Sequence, residues 1–174
     1  LGYKPEEWEQ VKGAMAAELK EWAKVAKSHR LNICFEPHAG HAAETPERAL
    51  WLVGEVGSPH IRVMYDYSHF SLAGLPLRGT MQQLLPASGL LHLKDGVNNA
   101  GKFEYLIPGD GKVDYNEYFQ LARQFGYRGH SVVLVSGRIS GKPGYQPVET
   151  ARVCYTRMSA AMAKAGISRP NGKV

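Results

Sequence analysis

The sequence predicts an α/β protein with a parallel sheet. Its 174 residues alternate between amphipathic segments of helical spacing and short apolar runs of strand length. The order is one helix followed by four strand–helix units, and this alternation gives parallel strands joined by right-handed crossovers. The predicted strands are apolar on both faces, which is typical of strands that helices cover on both sides.

The leading helix is predicted from Pro5 to about Ser28. Pro5 suits the first turn of a helix, and Glu6 and Glu7 favour its positive end. Apolar residues recur along it at spacings of three and four, and we expect them to form its buried face: Trp8, Val11, Met15, Leu19, Trp22 and Val25.

Two strand–helix units follow. The first combines a strand at about Leu31–Glu36 with a helix over about Pro46–Val56, which Thr45 caps. The second combines the strand Ile61–Asp66 with a helix at about Leu77–Leu85.

The third unit contains a strand at Leu90–Leu93 and a long loop at Gly96–Gly111 that is rich in Gly and Asn. Its helix begins after the cap residue Asp114 and ends near Phe125.

The fourth unit has a strand at Ser131–Ser136, a loop at Gly137–Gln146 and a final helix at about Pro147–Ala165. Residues 1–167 are therefore expected to form one domain. The tail, residues 168–174, is predicted to be disordered.

Two architectures fit this order of elements: an open sheet, or half of an eight-stranded barrel. A complete (β/α)8 barrel needs about 250 residues, which is more than the 174 of this chain. A leading helix with no strand before it suits a barrel that is cut in the middle, so an N-terminal part is expected to be missing.

Charge and cysteine content limit the compartment and the partners. The net charge is only +5, and no run of five or six basic residues occurs, so binding to nucleic acid is not expected. Cys34 and Cys154 lack any C-x-x-C spacing and are expected to be buried free thiols in a reducing compartment. No signal peptide or membrane-spanning run is visible, and we expect a cytoplasmic protein.

Carboxylates and imidazoles stand at or near the ends of three predicted strands. Glu36 and Asp66 end the first two strands, His69 follows three residues after Asp66 on the exiting loop, and His92 lies in the third strand. Because the carboxyl ends of parallel strands meet at one rim, these side chains are expected to converge. Oxygen and nitrogen ligands together favour a divalent cation.

Each of these residues also has a purely structural interpretation. Glu36 suits an ion pair, Asp66 suits the N-cap of a following turn, and His92 suits a hydrogen-bonded core residue. One bound metal explains all of them together, whereas the structural interpretation must explain each one separately. His38 and His41 flank Gly40 in the loop after Glu36, where they could extend the site, but they are expected to be solvated loop residues or rim contacts.

Six motifs in order carry a resemblance to a known family: Phe35–His38, Tyr65–Phe70, His92–Asp95, Pro108–Tyr115, Gly126–Gly129 and Lys142–Tyr145. With them the chain resembles the C-terminal half of the sugar phosphate isomerase/epimerase family, within the xylose isomerase-like TIM barrel superfamily. The resemblance implies the last four βα units of such a barrel. It also implies a missing N-terminal half, or a second copy, that completes the barrel.

The resemblance further implies a metal-dependent isomerase or epimerase that moves a proton on a sugar, a sugar phosphate or a polyol. By resemblance, Glu36, Asp66 and His92 bind the metal (Mn²⁺, Mg²⁺, Co²⁺ or Zn²⁺), and Glu36 is also an acid/base residue. His69 and Lys94 are implied to bind the substrate.

The chain departs from the family at the fourth ligand, where Leu134 stands in place of the expected glutamate. Leucine can neither bind a metal nor carry a proton, so turnover is expected to be impaired. Two other functions stay open: a non-catalytic relative that binds a sugar or a metal, and a DNA repair enzyme similar to endonuclease IV.

Overall fold

The computed structural model describes residues 2–99 and 102–168 of the chain. They form two compact units. The first runs up to His92 and includes Gly129–Val132, and the second combines Leu93–Arg128 with the residues from Val133 onward. The predicted tail lies outside the described residues except for Ser168.

The elements up to Leu93 follow the predicted order closely. After a 3-10 turn at Pro5–Glu7 they are α1 (Trp8–Ser28), β1 (Ile33–Phe35), α2 (Pro46–Val56), β2 (Ile61–Asp66), α3 (Tyr67–Leu72), α4 (Leu77–Leu84) and β3 (Ser88–Leu93). The elements that follow are β4 (Asp95–Asn99), β5 (Lys102–Leu106), α5 (Tyr115–Gln124), β6 (His130–Val133), α6 (Gly137–Ser140) and α7 (Pro147–Lys164).

A four-stranded sheet in the order β1-β2-β3-β6 confirms the α/β prediction. β1 pairs in parallel with β2, and β2 pairs in parallel with β3. The register sets Asp66 directly beside His92. The carboxyl ends of the first three strands therefore lie side by side.

The core of the first unit lies between the sheet and its helices. Its fully buried large apolar side chains come from α1, α2, β2, α3, α4 and β3: Met15, Leu52, Ile61, Val63, Tyr65, Phe70, Met81, Leu84 and Leu91. Thr45 caps α2 as predicted, with its Oγ1 accepting a hydrogen bond from the Arg48 backbone N–H.

The buried face of α1 agrees with the prediction at Trp8, Met15 and Leu19, which are buried, but not at two other positions. Trp22 and Val25 are 49% and 47% exposed, while Ala16, Ala23 and Ala26 are buried. α1 packs against α2 and β2, and small side chains let a helix approach its neighbours closely. The spacing of the large apolar residues alone therefore predicts a buried face that is rotated about the helix axis from the observed one.

The second unit corrects the prediction of a long loop at Gly96–Gly111. Its first part is an antiparallel hairpin in which β4 pairs with β5, with Asp95 opposite Leu106 and Gly96 opposite Tyr105. Gly and Asn in this segment suggested a loop, but the alternation of Phe103 and Tyr105 with polar residues fits a strand.

Two further predictions are wrong in detail. The last strand, β6, is shorter than predicted, and its residues His130, Ser131 and Val132 are exposed, so helices do not cover it on both faces. The predicted loop before the last helix contains the short helix α6. The prediction for α5 is confirmed, since Asp114 Oδ1 accepts hydrogen bonds from the backbone N–H groups of Asn116 and Glu117.

The turn before α5 is organised by a buried carboxylate. Asp95 is fully buried, and its Oδ1 accepts hydrogen bonds from the N–H groups of Gly96 and Val113 while its Oδ2 accepts one from Gly109. Gly111 lies against this carboxylate, where a Cβ atom would overlap it.

Among the described helices, none combines the length and apolar character needed to cross a bilayer.

Candidate metal centre

Three predicted site residues converge at the carboxyl ends of β1, β2 and β3. The Nδ1 of His92 lies 3.2 Å from Oε1 of Glu36 and 3.9 Å from Oδ2 of Asp66. One ligand atom from each of the three lies within 4.8 Å of the other two. Parallel pairing produces this meeting, since Glu36 follows β1 directly and Asp66 lies beside His92 in register.

Asp66 caps the following helix, which is the structural interpretation considered for it, and its second oxygen faces the cluster. Its Oδ1 accepts a hydrogen bond from the Ser68 backbone N–H at 2.9 Å and so caps α3. Its Oδ2 lies 3.8 Å from His69 Nε2 and 3.9 Å from His92 Nδ1. The cap fixes the orientation of the carboxylate, which is only 1% exposed.

His69 lies on a helix rather than on the predicted exiting loop. α3 begins directly after β2, so His69 is held one helical turn beyond Asp66. Its ring is buried, and its Nε2 lies 3.8 Å from Glu36 Oε1 as well as 3.8 Å from Asp66 Oδ2. The structure therefore brings His69 together with the three residues above.

A row of three histidine rings extends from this cluster. The ring of His38 lies 3.9 Å from that of His69 and 4.7 Å from that of His41, measured between centroids. Ligand atoms of Glu36, His38 and His69 also lie within 4.8 Å of one another. The sequence favoured a solvated loop or rim position for His38 over an extension of the site, although its place two residues after Glu36 was a usable signal.

Lys94 and Leu134 belong to the second unit. Lys94 is 5% exposed, and its Nζ lies 4.8 Å from the centre of the Tyr105 ring. Its backbone oxygen accepts a hydrogen bond from the Tyr115 hydroxyl at 3.1 Å. Leu134 is half-buried, and its backbone N–H donates to the Leu93 oxygen.

Two titratable side chains of β1 and β2, Cys34 and Tyr65, stay protonated at neutral pH. Burial raises the pKa of the Tyr65 hydroxyl far above its usual range, against the opposing effect of a hydrogen bond to Thr80 at 2.8 Å. Burial also raises the pKa of the Cys34 thiol, against the smaller opposing effect of Arg62. Cys34 and Cys154 are both free, and burial raises the pKa of Cys154 as well.

The donor set suits a divalent cation. Two carboxylates lie close together, and Asp66 is buried, so their mutual repulsion favours a positive charge between them. Imidazole nitrogen and carboxylate oxygen are ligands that Zn²⁺, Mn²⁺ and related ions accept.

The fold and this cluster match a known class of protein. The chain belongs to the xylose isomerase-like TIM barrel family, whose sequence profile matches residues 1–163. Members of this family act as sugar epimerases, isomerases or dehydratases.

Two curated relatives illustrate these activities. A D-psicose 3-epimerase from Enterocloster bolteae is 28% identical over 96 residues, which cover 55% of this chain and 30% of that protein. An inosose dehydratase from Klebsiella pneumoniae is 25% identical over 152 residues, which cover 75% of this chain and 48% of that protein. The chain thus spans about half the length of these relatives or less.

Two solved structures show the same fold with a metal. The IOLI protein with a zinc atom superposes with a TM-score of 0.74 at 18% identity, over 90% of this chain and 58% of that one. A xylose isomerase-like TIM barrel protein from Mycobacterium smegmatis in complex with magnesium gives a TM-score of 0.70 at 16% identity, over 90% and 52%. These neighbours bind zinc or magnesium.

Proposed function

We propose that the chain binds a divalent cation through Glu36, Asp66 and His92 and belongs to a sugar isomerase or epimerase that works by proton transfer. The observation that carries the proposal is the convergence of these three side chains from three strands, with His92 Nδ1 at 3.2 and 3.9 Å from the two carboxylates. Relatives named as an epimerase and a dehydratase support the reaction class.

Each residue has a role in this proposal. A bound cation would polarise the oxygens of the substrate and so lower the barrier to proton transfer at the neighbouring carbon. Glu36, whose carboxylate is less buried than that of Asp66, would accept and return the proton. His69 and Lys94 would contact the hydroxyl or phosphate groups of the sugar.

The substitution at Leu134 favours a second function. A two-base epimerisation needs a second carboxylate, and residues 118–148 contain no carboxylate at all. A non-catalytic relative that binds a metal or a sugar would keep the cluster on β1–β3 and tolerate leucine. For both candidate functions, we propose that the chain binds the metal but has impaired turnover.

Barrel completion is part of the proposal. Among the described strands, β1 and β6 are the edges of the four-stranded sheet, and exposed edges favour pairing with further strands. A second segment or a second copy of the chain would supply such strands.

The metal is tested by thermal unfolding of the 174-residue chain with and without Mn²⁺ or Co²⁺. At a metal concentration of about 100 times Kd, binding adds about 2.7 kcal/mol to the free energy of unfolding. We expect Tm to rise by several degrees in the wild type and not in Glu36→Gln. His60→Gln is the matched control, since His60 precedes β2 at the opposite end from Asp66. No rise in the wild type would refute the metal site.

Turnover is tested with Leu134→Glu in a full-length parent chain that supplies the rest of the barrel. Solvent deuterium incorporation into ketose and aldose sugars reports proton transfer at carbon directly. Exchange by Leu134→Glu above that of the wild type would support a decayed proton-transfer enzyme. Absence of exchange in both proteins, with metal bound to both, would favour the non-catalytic relative.

A further inference from the structure

Two basic side chains of the second unit lie against one aromatic ring. The Nζ of Lys94 lies 4.8 Å from the centre of the Tyr105 ring, and the guanidinium carbon of Arg138 lies 5.7 Å from it. Cations within about 6 Å of a ring centre are attracted by the partial negative charge of the ring face. The same arrangement holds two like charges near each other, and a bound anion would offset their repulsion.

The positive charge of the chain is concentrated in the same unit. Residues 93–128 and 133–174 contain twelve Lys and Arg residues against six Asp and Glu, whereas the rest of the chain contains nine against ten. Arg138 is exposed, and among the described residues no carboxylate forms an ion pair with it. A surplus of positive charge on one unit attracts anionic ligands to that unit.

The carboxylates that lie nearest in the sequence do not serve Arg138. Both oxygens of Asp95 accept hydrogen bonds from backbone N–H groups. Glu104 precedes Tyr105 in β5, and because side chains alternate along a strand, Glu104 lies on the face opposite to the ring. A negative charge brought by a ligand therefore suits Arg138.

We infer that Arg138, together with Lys94, binds a phosphate monoester group of the substrate, with the Tyr105 ring packed against both side chains. The inference rests on the proposed function, in which Lys94 contacts the sugar, and it narrows the substrate class to sugar phosphates. A phosphate group has several acceptor oxygens and up to two negative charges, which suits one guanidinium and one ammonium group.

The places of the two residues along the chain support this assignment. Lys94 directly follows β3, and Arg138 lies in α6, the short helix after β6. Complete (β/α)8 barrels frequently bind phosphate with the loops that follow their last two strands. By analogy, the segments after β3 and β6 are the equivalent ones, since these are the last two strands of the four-stranded sheet.

Lys94 and Tyr105 are already ordered for this role. The backbone oxygen of Lys94 accepts a hydrogen bond from the Tyr115 hydroxyl at 3.1 Å, and the residue is only 5% exposed. The Tyr105 ring packs edge-on against the Phe103 ring, with 4.5 Å between the centroids. Ordered side chains lose little conformational entropy on binding, and the exposed Arg138 side chain supplies the adaptable contact.

Calorimetric titration of the 174-residue chain with inorganic phosphate and with D-fructose 6-phosphate tests the inference. The buffer contains no metal, and an ionic strength of about 0.15 M screens non-specific attraction. We expect the wild type to bind both probes, and to bind D-fructose about tenfold more weakly than its 6-phosphate, because the free sugar lacks the charged group.

Arg138→Gln should weaken the binding of both phosphate probes about tenfold. Arg152→Gln is the matched control, since it removes the same charge from an exposed position on α7 in the same unit, and it should bind like the wild type. The inference is overturned by a wild type that binds neither probe, by unchanged binding in Arg138→Gln, or by equal losses in the two variants.

D-Gluconate distinguishes a phosphate from a carboxylate, because it carries one carboxylate on a sugar chain of the same length. Binding of D-gluconate as tight as that of D-fructose 6-phosphate would overturn the assignment to phosphate. Since the probes need no cation, the result is separate from that of the metal test. Phosphate binding by a wild type that ignores Mn²⁺ refutes the cation site alone, and Mn²⁺ binding by a wild type that ignores phosphate refutes this inference alone.

Discussion

Asp66 and Asp95 are both buried aspartates at one end of a strand, Asp66 as the last residue of β2 and Asp95 as the first of β4, yet their surroundings differ. Asp95 uses both of its oxygens on backbone N–H groups, those of Gly96, Gly109 and Val113. Asp66 uses one oxygen to cap α3 and turns the other toward two imidazoles and a second carboxylate. Burial is therefore the same in both, and only the groups that the oxygens face differ.

The comparison shows how to separate a structural carboxylate from a binding one. A carboxylate enclosed by N–H donors is stabilised by the fold itself. A carboxylate held near another carboxylate is stabilised best by a cation. Each of the following predictions tests whether this division between Asp66 and Asp95 holds.

The largest effect is expected from Asp95→Ala. The substitution leaves three backbone N–H groups without their acceptor, at about 1–3 kcal/mol for each buried group that stays unsatisfied. We expect the free energy of unfolding in urea to fall by about 3–5 kcal/mol. A loss below about 1 kcal/mol would show that water replaces this carboxylate easily.

Asp66→Asn should act through the metal instead. Asparagine keeps a side-chain oxygen for the cap and removes the charge that binds the cation. We expect a small change in stability without metal, and loss of the roughly 2.7 kcal/mol that Mn²⁺ at 100 times Kd adds to the wild type. Unfolding curves with and without Mn²⁺ check this. If Mn²⁺ stabilised Asp66→Asn as much as the wild type, this would contradict the distinction between Asp66 as a binding carboxylate and Asp95 as a structural one.

Gly111→Ala tests the close packing around Asp95. A Cβ atom at this position would overlap the Asp95 carboxylate, so the turn must move and weaken its hydrogen bonds. We expect a loss of about 2 kcal/mol in the free energy of unfolding. Gly137→Ala is the matched control in the same unit, because a Cβ there meets nothing within 4 Å. Equal effects of the two substitutions would argue against the packing account.

The smallest effect is expected from Asp114→Ala, which removes an exposed cap of α5. Its Oδ1 accepts hydrogen bonds from Asn116 and Glu117 at 2.8 and 3.3 Å. Loss of an N-cap costs about 1 kcal/mol, since water reaches the exposed N–H groups. A cost as large as that of Asp95→Ala, measured by the same urea unfolding, would show that burial does not set the size of the effect.

The sequence could predict those parts of the molecule that depend on local signals. The caps Thr45 and Asp114 and the strand Ile61–Asp66 were predicted because their signals lie within a few residues of the element. The convergence of Glu36, Asp66 and His92 was also predictable, since parallel strands bring their carboxyl ends to one rim.

The rest depends on contacts between distant residues. Two of the three residues whose N–H groups donate to Asp95, Gly109 and Val113, lie 14 and 18 positions further along the chain. No local sequence pattern predicts these contacts. The buried face of α1 depends on its contact with α2. This contact buries alanines and leaves Trp22 and Val25 exposed. The contact between the His69 and His38 rings follows from α3, a helix that the sequence did not predict.

The central claim is that Glu36, Asp66 and His92 hold a divalent cation, and direct binding tests it best. The measurement is a titration of the 174-residue chain with Mn²⁺, followed by the electron paramagnetic resonance signal of the free ion. The account predicts one tightly bound ion per chain in the wild type and in His60→Gln, and loss of that site in Asp66→Asn. A wild type that leaves all the Mn²⁺ free, or an Asp66→Asn protein that binds it as tightly as the wild type, would contradict the account.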